Sequence, residues 1–161
     1  MSRFKTLLVL SLSIFSFSLS YASPGDYSLR FKGGPSFELQ DWHDQMRIGA
    51  EFDYDLGYSM GIGLMALFGV SRDFRFQLLP SFRYDLVYLG PASLYGVLGA
   101  GYGRFNKNEE SFDLRFGSGI TLPLGDSFEV NSDVNVFMSP LGTPGTPITL
   151  DWLLSFGMKF Y

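Results

Sequence analysis

Side chains of this chain alternate between apolar and polar from Tyr27 to the last residue, broken only by short turn-forming stretches. Few folds accept such a pattern, because period two belongs to extended strands with two different surroundings. The alternating stretches are roughly 27–39, 46–56, 58–70, 73–86, 93–105, 112–124, 128–138 and 148–161. In the first stretch the apolar side chains hold the odd positions (Tyr27, Leu29, Phe31, Pro35, Phe37, Leu39); in the other seven they hold the even ones. On that face Arg104 is the one charged residue, and Ser118 and Ser132 are the polar ones. The opposite face carries the charges of the strands, seven positive and ten negative.

Alternation alone does not say which face is inside. Volume does. An eight-stranded barrel has an interior just wide enough to be filled by side chains, so it cannot enclose the face that holds most of the Phe and Tyr. The polar face also carries the small residues Gly34, Gly49, Gly61, Gly63, Gly69, Gly99, Gly101, Gly103, Gly117, Gly119 and Gly157, which suit a crowded inner wall, against Gly33 and Gly96 on the apolar face. The apolar face therefore looks outward, and lipid is its solvent. The fold expected is all-β: an eight-stranded antiparallel up-and-down transmembrane β-barrel.

The N-terminus agrees with export. Arg3 and Lys5 precede an apolar, serine-interleaved block from Leu7 to Leu19, and Ser20-Tyr21-Ala22 has the small-x-small form of a cleavage site. Residues 1–22 are expected to be a signal peptide and 23–161 the barrel. The apolar block falls short of the roughly 20 residues a spanning helix needs, and later apolar runs reach at most five residues, Leu64 to Phe68. Without the peptide, 10 cationic side chains face 16 acidic ones, a net charge of −6. That acidity excludes nucleic acid as a partner. The absence of cysteine removes any disulfide framework or lipoprotein anchor.

With both ends of the barrel on the periplasmic side, short turns follow the second, fourth and sixth stretches at Gly57, Tyr88–Ala92 and Gly125–Ser127. The outer loops would be Gln40–Gln45, Ser71-Arg72, Asn106–Ser111 and Ser139–Pro147, only slightly longer. Tyr27, Tyr54, Tyr58, Tyr84 and Trp152 fall near strand ends, where aromatic girdles meet lipid headgroups. The last strand closes the sheet against the first and ends on an aromatic.

The stretch "LYGVLGAGYGRF" (94–105) and its continuation "NKNEESFDLRFGSGITLPLGDSFEVNSDVNVF" resemble the fifth to seventh strands of small outer-membrane barrels of the OmpX/Ail type, related to the OmpA transmembrane barrel. The resemblance covers about 94–161. It implies a bacterial outer-membrane location, outer-membrane lipid and lipopolysaccharide as surroundings, and insertion by the barrel-assembly machinery as a monomer. That machinery would read a C-terminal strand signal, here Phe156, Met158, Phe160 and Tyr161. The long loops of adhesive members are missing, so their surface function does not transfer.

Charges in a narrow lumen must pair, because an unpaired buried charge costs several kcal/mol. The expected lumen network comprises Arg30, Lys32, Arg47, Glu51, Asp53, Arg75, Arg83, Asp85, Asp113, Arg115, Glu129 and Asp133. Its reading is structural: a plug, in a protein with an envelope or surface-contact role, no cofactor and no catalytic residues. Two alternatives stand beside it. The same charges could line a narrow ion path. Or His43, with Ser71 and Asp73, could form an outer-leaflet lipid A acyl-modifying site; against this, the His-x-Ser pair of lipid A deacylases and the N-terminal helix of palmitoyl-transferases are both missing. Asp41, His43 and Asp44 show no metal-ligand spacing.

Overall fold

A computed structural model describes residues 25–39, 44–70, 74–105, 109–141 and 148–161. The expected signal peptide, residues 1–22, and His43, Ser71 and Asp73 lie outside the described residues. Eight strands follow one another: β1 (Tyr27–Glu38), β2 (Asp44–Gly57), β3 (Met60–Val70), β4 (Arg75–Leu89), β5 (Ala92–Phe105), β6 (Glu109–Leu124), β7 (Phe128–Leu141) and β8 (Thr149–Phe160). Each pairs antiparallel with its neighbours in the chain, and β1 pairs with β8 to close the barrel.

Burial is the reverse of that in a water-soluble protein. Phe31, Ile48, Leu98, Trp152 and Leu154 are each more than half exposed on the outer surface, while Arg47, Asp113, Asp133 and Asp151 are completely buried. Exposed apolar surface of that extent has no stable place in water; in lipid it is the favourable side. Closing the sheet leaves no unpaired strand edge, which the hydrocarbon region requires.

The strands run two or more residues longer than the alternation indicates in four places. β2 begins at Asp44, β6 at Glu109, and β7 and β4 continue to Leu141 and Leu89. Extra length in β4 comes with a bulge. Asp85 opposes Tyr95, but Val87 opposes Leu94, so Leu86 is an unpaired extra residue. A one-residue slip exchanges the two faces of a strand, and Tyr88, which simple parity would put in lipid, joins the lumen side opposite Ser93. β2 carries a comparable irregularity between Asp55 and Gly57 before the tight turn Tyr58-Ser59, whose φ angles of 55° and 64° are both left-handed. Positive φ at both turn residues is the geometry of a two-residue hairpin loop that matches the strand twist.

At the β1–β8 seam the ladder runs from Tyr27 opposite Phe160 to Gly33 opposite Leu154 and resumes at Ser36 opposite Asp151. The gap holds Pro35, which has no N–H to give, and Gly34. A Cβ at Gly34 would stand 3.1 Å from the Leu153 Cα and against the Trp152 carbonyl. Glycine there lets two backbones approach closely.

Part of the lumen is apolar. Met65, Leu67, Leu79, Phe137 and Leu153 form a buried cluster on the inner wall. They fill space above the glycines of β2 and β5, and a Cβ at Gly49 would lie 2.7 Å from the Leu67 side chain.

Candidate functional site

The inner wall concentrates the polar chemistry of the chain. Mid-lumen, Arg30 pairs with Asp53 and Glu129. Lys32 holds Glu51 at 2.5 Å and also Asp133. Arg115 reaches Glu51 at 2.5 Å and Asp133 at 3.8 Å, and Lys159 reaches Glu129 at 3.3 Å. These four cations and four carboxylates are balanced. They join β1, β2, β6, β7 and β8, and the Arg115–Glu51 contact crosses from one side of the barrel to the other. The Tyr95 hydroxyl donates to Asp133, so β5 is tied to the same cluster.

Above this cluster, toward the loop end, Arg47 pairs with Asp151 at 2.9 Å and donates to Gln77 at 2.5 Å and to Thr149 at 3.1 Å. Gln77 passes a hydrogen bond on to Asp113, which also accepts from Ser111 at 2.7 Å and from Ser139. Below it, toward the turn end, Arg83 pairs with Asp85 at 3.0 Å, donates to Thr121 at 3.0 Å, and lies 3.8 Å over the Tyr95 ring.

Two residues of the expected network sit in the lumen without an ion pair among the described residues. Asp113 is held by neutral donors. Arg75 is buried with none of its three guanidinium nitrogens hydrogen-bonded among the described residues, and its charge rests 4.0 Å over the Phe105 ring. Both residues lie toward the loop end, where Gln77, Ser111 and Ser139 hold Asp113 and Arg47 occupies Asp151. Conversely, Ser36, Gln77, Tyr95, Asn131, Asn135 and Thr149 act as cross-links that charge pattern alone does not single out, and the charged Asp151 and Lys159 of the same face join the network as well. Their signal was their position on the same inner parity as the charges.

At the C-terminus, Phe160 faces outward opposite Tyr27, with ring centroids 5.2 Å apart and stacked, and Phe156 stacks on Phe128 at 5.5 Å. Tyr161 lies past the strand and donates its hydroxyl to the Asp126 carbonyl. Partial loss of water, with the Asp126 carboxylate near, raises its phenol pKa from the usual value. Among the described residues, no group of three His, Cys, Asp or Glu is arranged to hold a metal ion.

No protein-family model matches the chain, and no curated protein does. Solved structures do match. The N-terminal β-barrel domain of Pseudomonas aeruginosa OprF superposes with a TM-score of 0.68 at 11% identity, over 86% of this chain and 100% of that one. The attachment invasion locus protein Ail of Yersinia pestis gives a TM-score of 0.60 at 14% identity, over 86% and 100%. Neisserial surface protein A gives 0.61 at 10%, over 87% and 98%. At such identities the likeness is one of architecture, and it agrees with the strand order, closure and inverted burial described above. This chain has the fold of the small eight-stranded outer-membrane barrels, the OmpX/Ail type among them.

Proposed function

We propose that this protein is an integral bacterial outer-membrane barrel, exported by its N-terminal signal and inserted by the barrel-assembly machinery. Its lumen is closed, and its role is structural or one of surface contact through short loops. The observation that carries the reading is the mid-lumen cluster. Lys32, Glu51, Asp133 and Arg115 have side chains at most 3% exposed, and in the strand ladders Glu51 stands opposite Met65 and Asp133 opposite Leu153, neither of which has exposed surface. A conducting path needs hydrated polar groups; here each group in the constriction is already held by another.

Envelope fractionation and gel mobility test the location: the protein should co-sediment with outer membrane and run faster unheated than boiled. Planar-bilayer recording tests closure. Discrete conductance steps from the purified protein would overturn the closed-lumen reading. Mass spectrometry of lipid A from cells with and without the protein should show the same acyl pattern. A difference abolished by His43→Ala would replace the structural role with an enzymatic one.

A further inference from the structure

The turn end of the lumen is not filled. A cavity of about 490 Å³ opens there, within the range of small-molecule sites (about 300–1,000 Å³). With both ends of the barrel in the periplasm, this is the periplasmic mouth. Each cation on its wall is already engaged: Arg30 with Asp53 and Glu129, Lys159 with Glu129, Arg83 with Asp85. Two carboxylates on the same wall are not. Asp26 and Asp55 hold no cation among the described residues, and Asp55 accepts only the Gly57 amide, at 2.7 Å. They are neighbours, joined by the Asp55 amide donating to the Asp26 carbonyl at 2.8 Å.

A second observation points to a ligand independently of these acids. Ser28 on β1 and Ser93 on β5 line the cavity from opposite sides of the barrel. Both are more than nine-tenths buried, and neither hydroxyl has a hydrogen-bond partner among the described residues. Buried polar groups are normally satisfied. Hydroxyls left open toward a cavity are groups a guest would satisfy. The Leu86 bulge adds Tyr88 to the same wall, where its hydroxyl donates to Asp85 at 3.2 Å.

We infer that the turn-end cavity is a binding site for an organic cation carrying two or more ammonium groups, the chemistry of an aliphatic polyamine. Ammonium groups meet the unpaired Asp26 and Asp55 carboxylates through charge-assisted hydrogen bonds. Deeper N–H groups reach the acceptor lone pairs of Ser28 and Ser93, and the Tyr88 and Tyr161 rings on the wall supply apolar and cation–π contact for the methylene chain. A divalent metal is the poorer fit, because the described acids nowhere gather three ligands. The site does not depend on whether the lumen conducts; it rests only on the barrel being folded as described.

The test is titration of the purified protein in non-ionic detergent micelles with spermidine, by calorimetry, with magnesium chloride and glycerol as parallel titrants. Saturable one-to-one binding of spermidine is expected, together with its loss by at least about tenfold in Asp26→Asn/Asp55→Asn, since each exchange removes a charge-assisted bond. Ser28→Val keeps every charge and should also weaken binding, which attraction to a merely acidic surface would not show. Heat-modifiable gel mobility confirms that each variant is folded. If spermidine does not saturate a folded barrel, if the double variant binds unchanged, or if magnesium competes at equal concentration, the site is refuted. Loss of heat-modifiability in the parent protein would refute the barrel reading instead.

Discussion

Lys32→Met removes one cation from a cluster in which four cations meet four carboxylates, and the structure says what remains. The Lys32 ammonium has no exposed surface and touches both Glu51 and Asp133. Arg115 is the other cation in contact with both, at 2.5 Å and 3.8 Å. Without Lys32, two buried carboxylates share one guanidinium, leaving one negative charge without a counter-charge. Methionine keeps the length of the side chain, so the loss is electrostatic and not a cavity. Breaking a buried pair by removing one partner costs about 3–5 kcal/mol. Urea unfolding of the refolded protein, followed by tryptophan fluorescence and by unheated gel mobility, should show a loss of that size. Adding Asp133→Asn restores the charge balance and should recover at least half of it, a coupling visible in the double-mutant cycle. A cost below about 1 kcal/mol would mean that the pair behaves as one exposed to water. The cluster would then be hydrated and would not close the lumen.

Arg75→Met is expected to have the opposite outcome. This guanidinium is buried without a hydrogen bond among the described residues, so replacing it with an apolar side chain should be neutral or stabilising in the same urea titration. Phe116→Arg places a charge on the outer face at the middle of β6; in lipid vesicles it should cost about 2–4 kcal/mol, and a neutral result would reverse the assignment of the faces. Gly34→Ala forces a Cβ to 3.1 Å from the Leu153 Cα at the seam and should lower stability by about 1–3 kcal/mol, read as a smaller refolded fraction and an earlier urea midpoint. Phe160→Ala, which removes the ring stacked on Tyr27, should reduce folded protein in membranes more than deletion of Tyr161, as judged by unheated gels of envelope fractions.

The barrel was readable because lipid and lumen act on alternate residues of each strand, so one period recurs from Tyr27 to Phe160. That period breaks wherever the strand gains a residue. In Leu86-Val87-Tyr88-Leu89 every residue is apolar or aromatic, and nothing in the letters shows that Leu86 is the extra one. Pairing inside the lumen was hidden for a different reason. Parity assigns a facing but not a height, and contacts such as Arg115–Glu51 or Arg30–Glu129 depend on how far each strand is staggered around the barrel. Arg75 is an example: it shares the inner face with the carboxylates and makes no ion pair among the described residues. The open serines of the cavity were also illegible, since nothing in the sequence separates Ser28 and Ser93 from the other inner serines.

Strand order has a consequence for the time course of folding. Seven of the eight strand pairings join segments adjacent in the chain, so each closes a small loop and can form by local zippering. The β1–β8 pairing alone brings together residues as distant as Tyr27 and Phe160. A chain shortened before Thr149 could still form its hairpins, yet it would keep two open edges and no route to the native state. Loop-closure entropy is thus concentrated in one late step, and the unusual features of the seam, Pro35 and Gly34, lie where that step is decided.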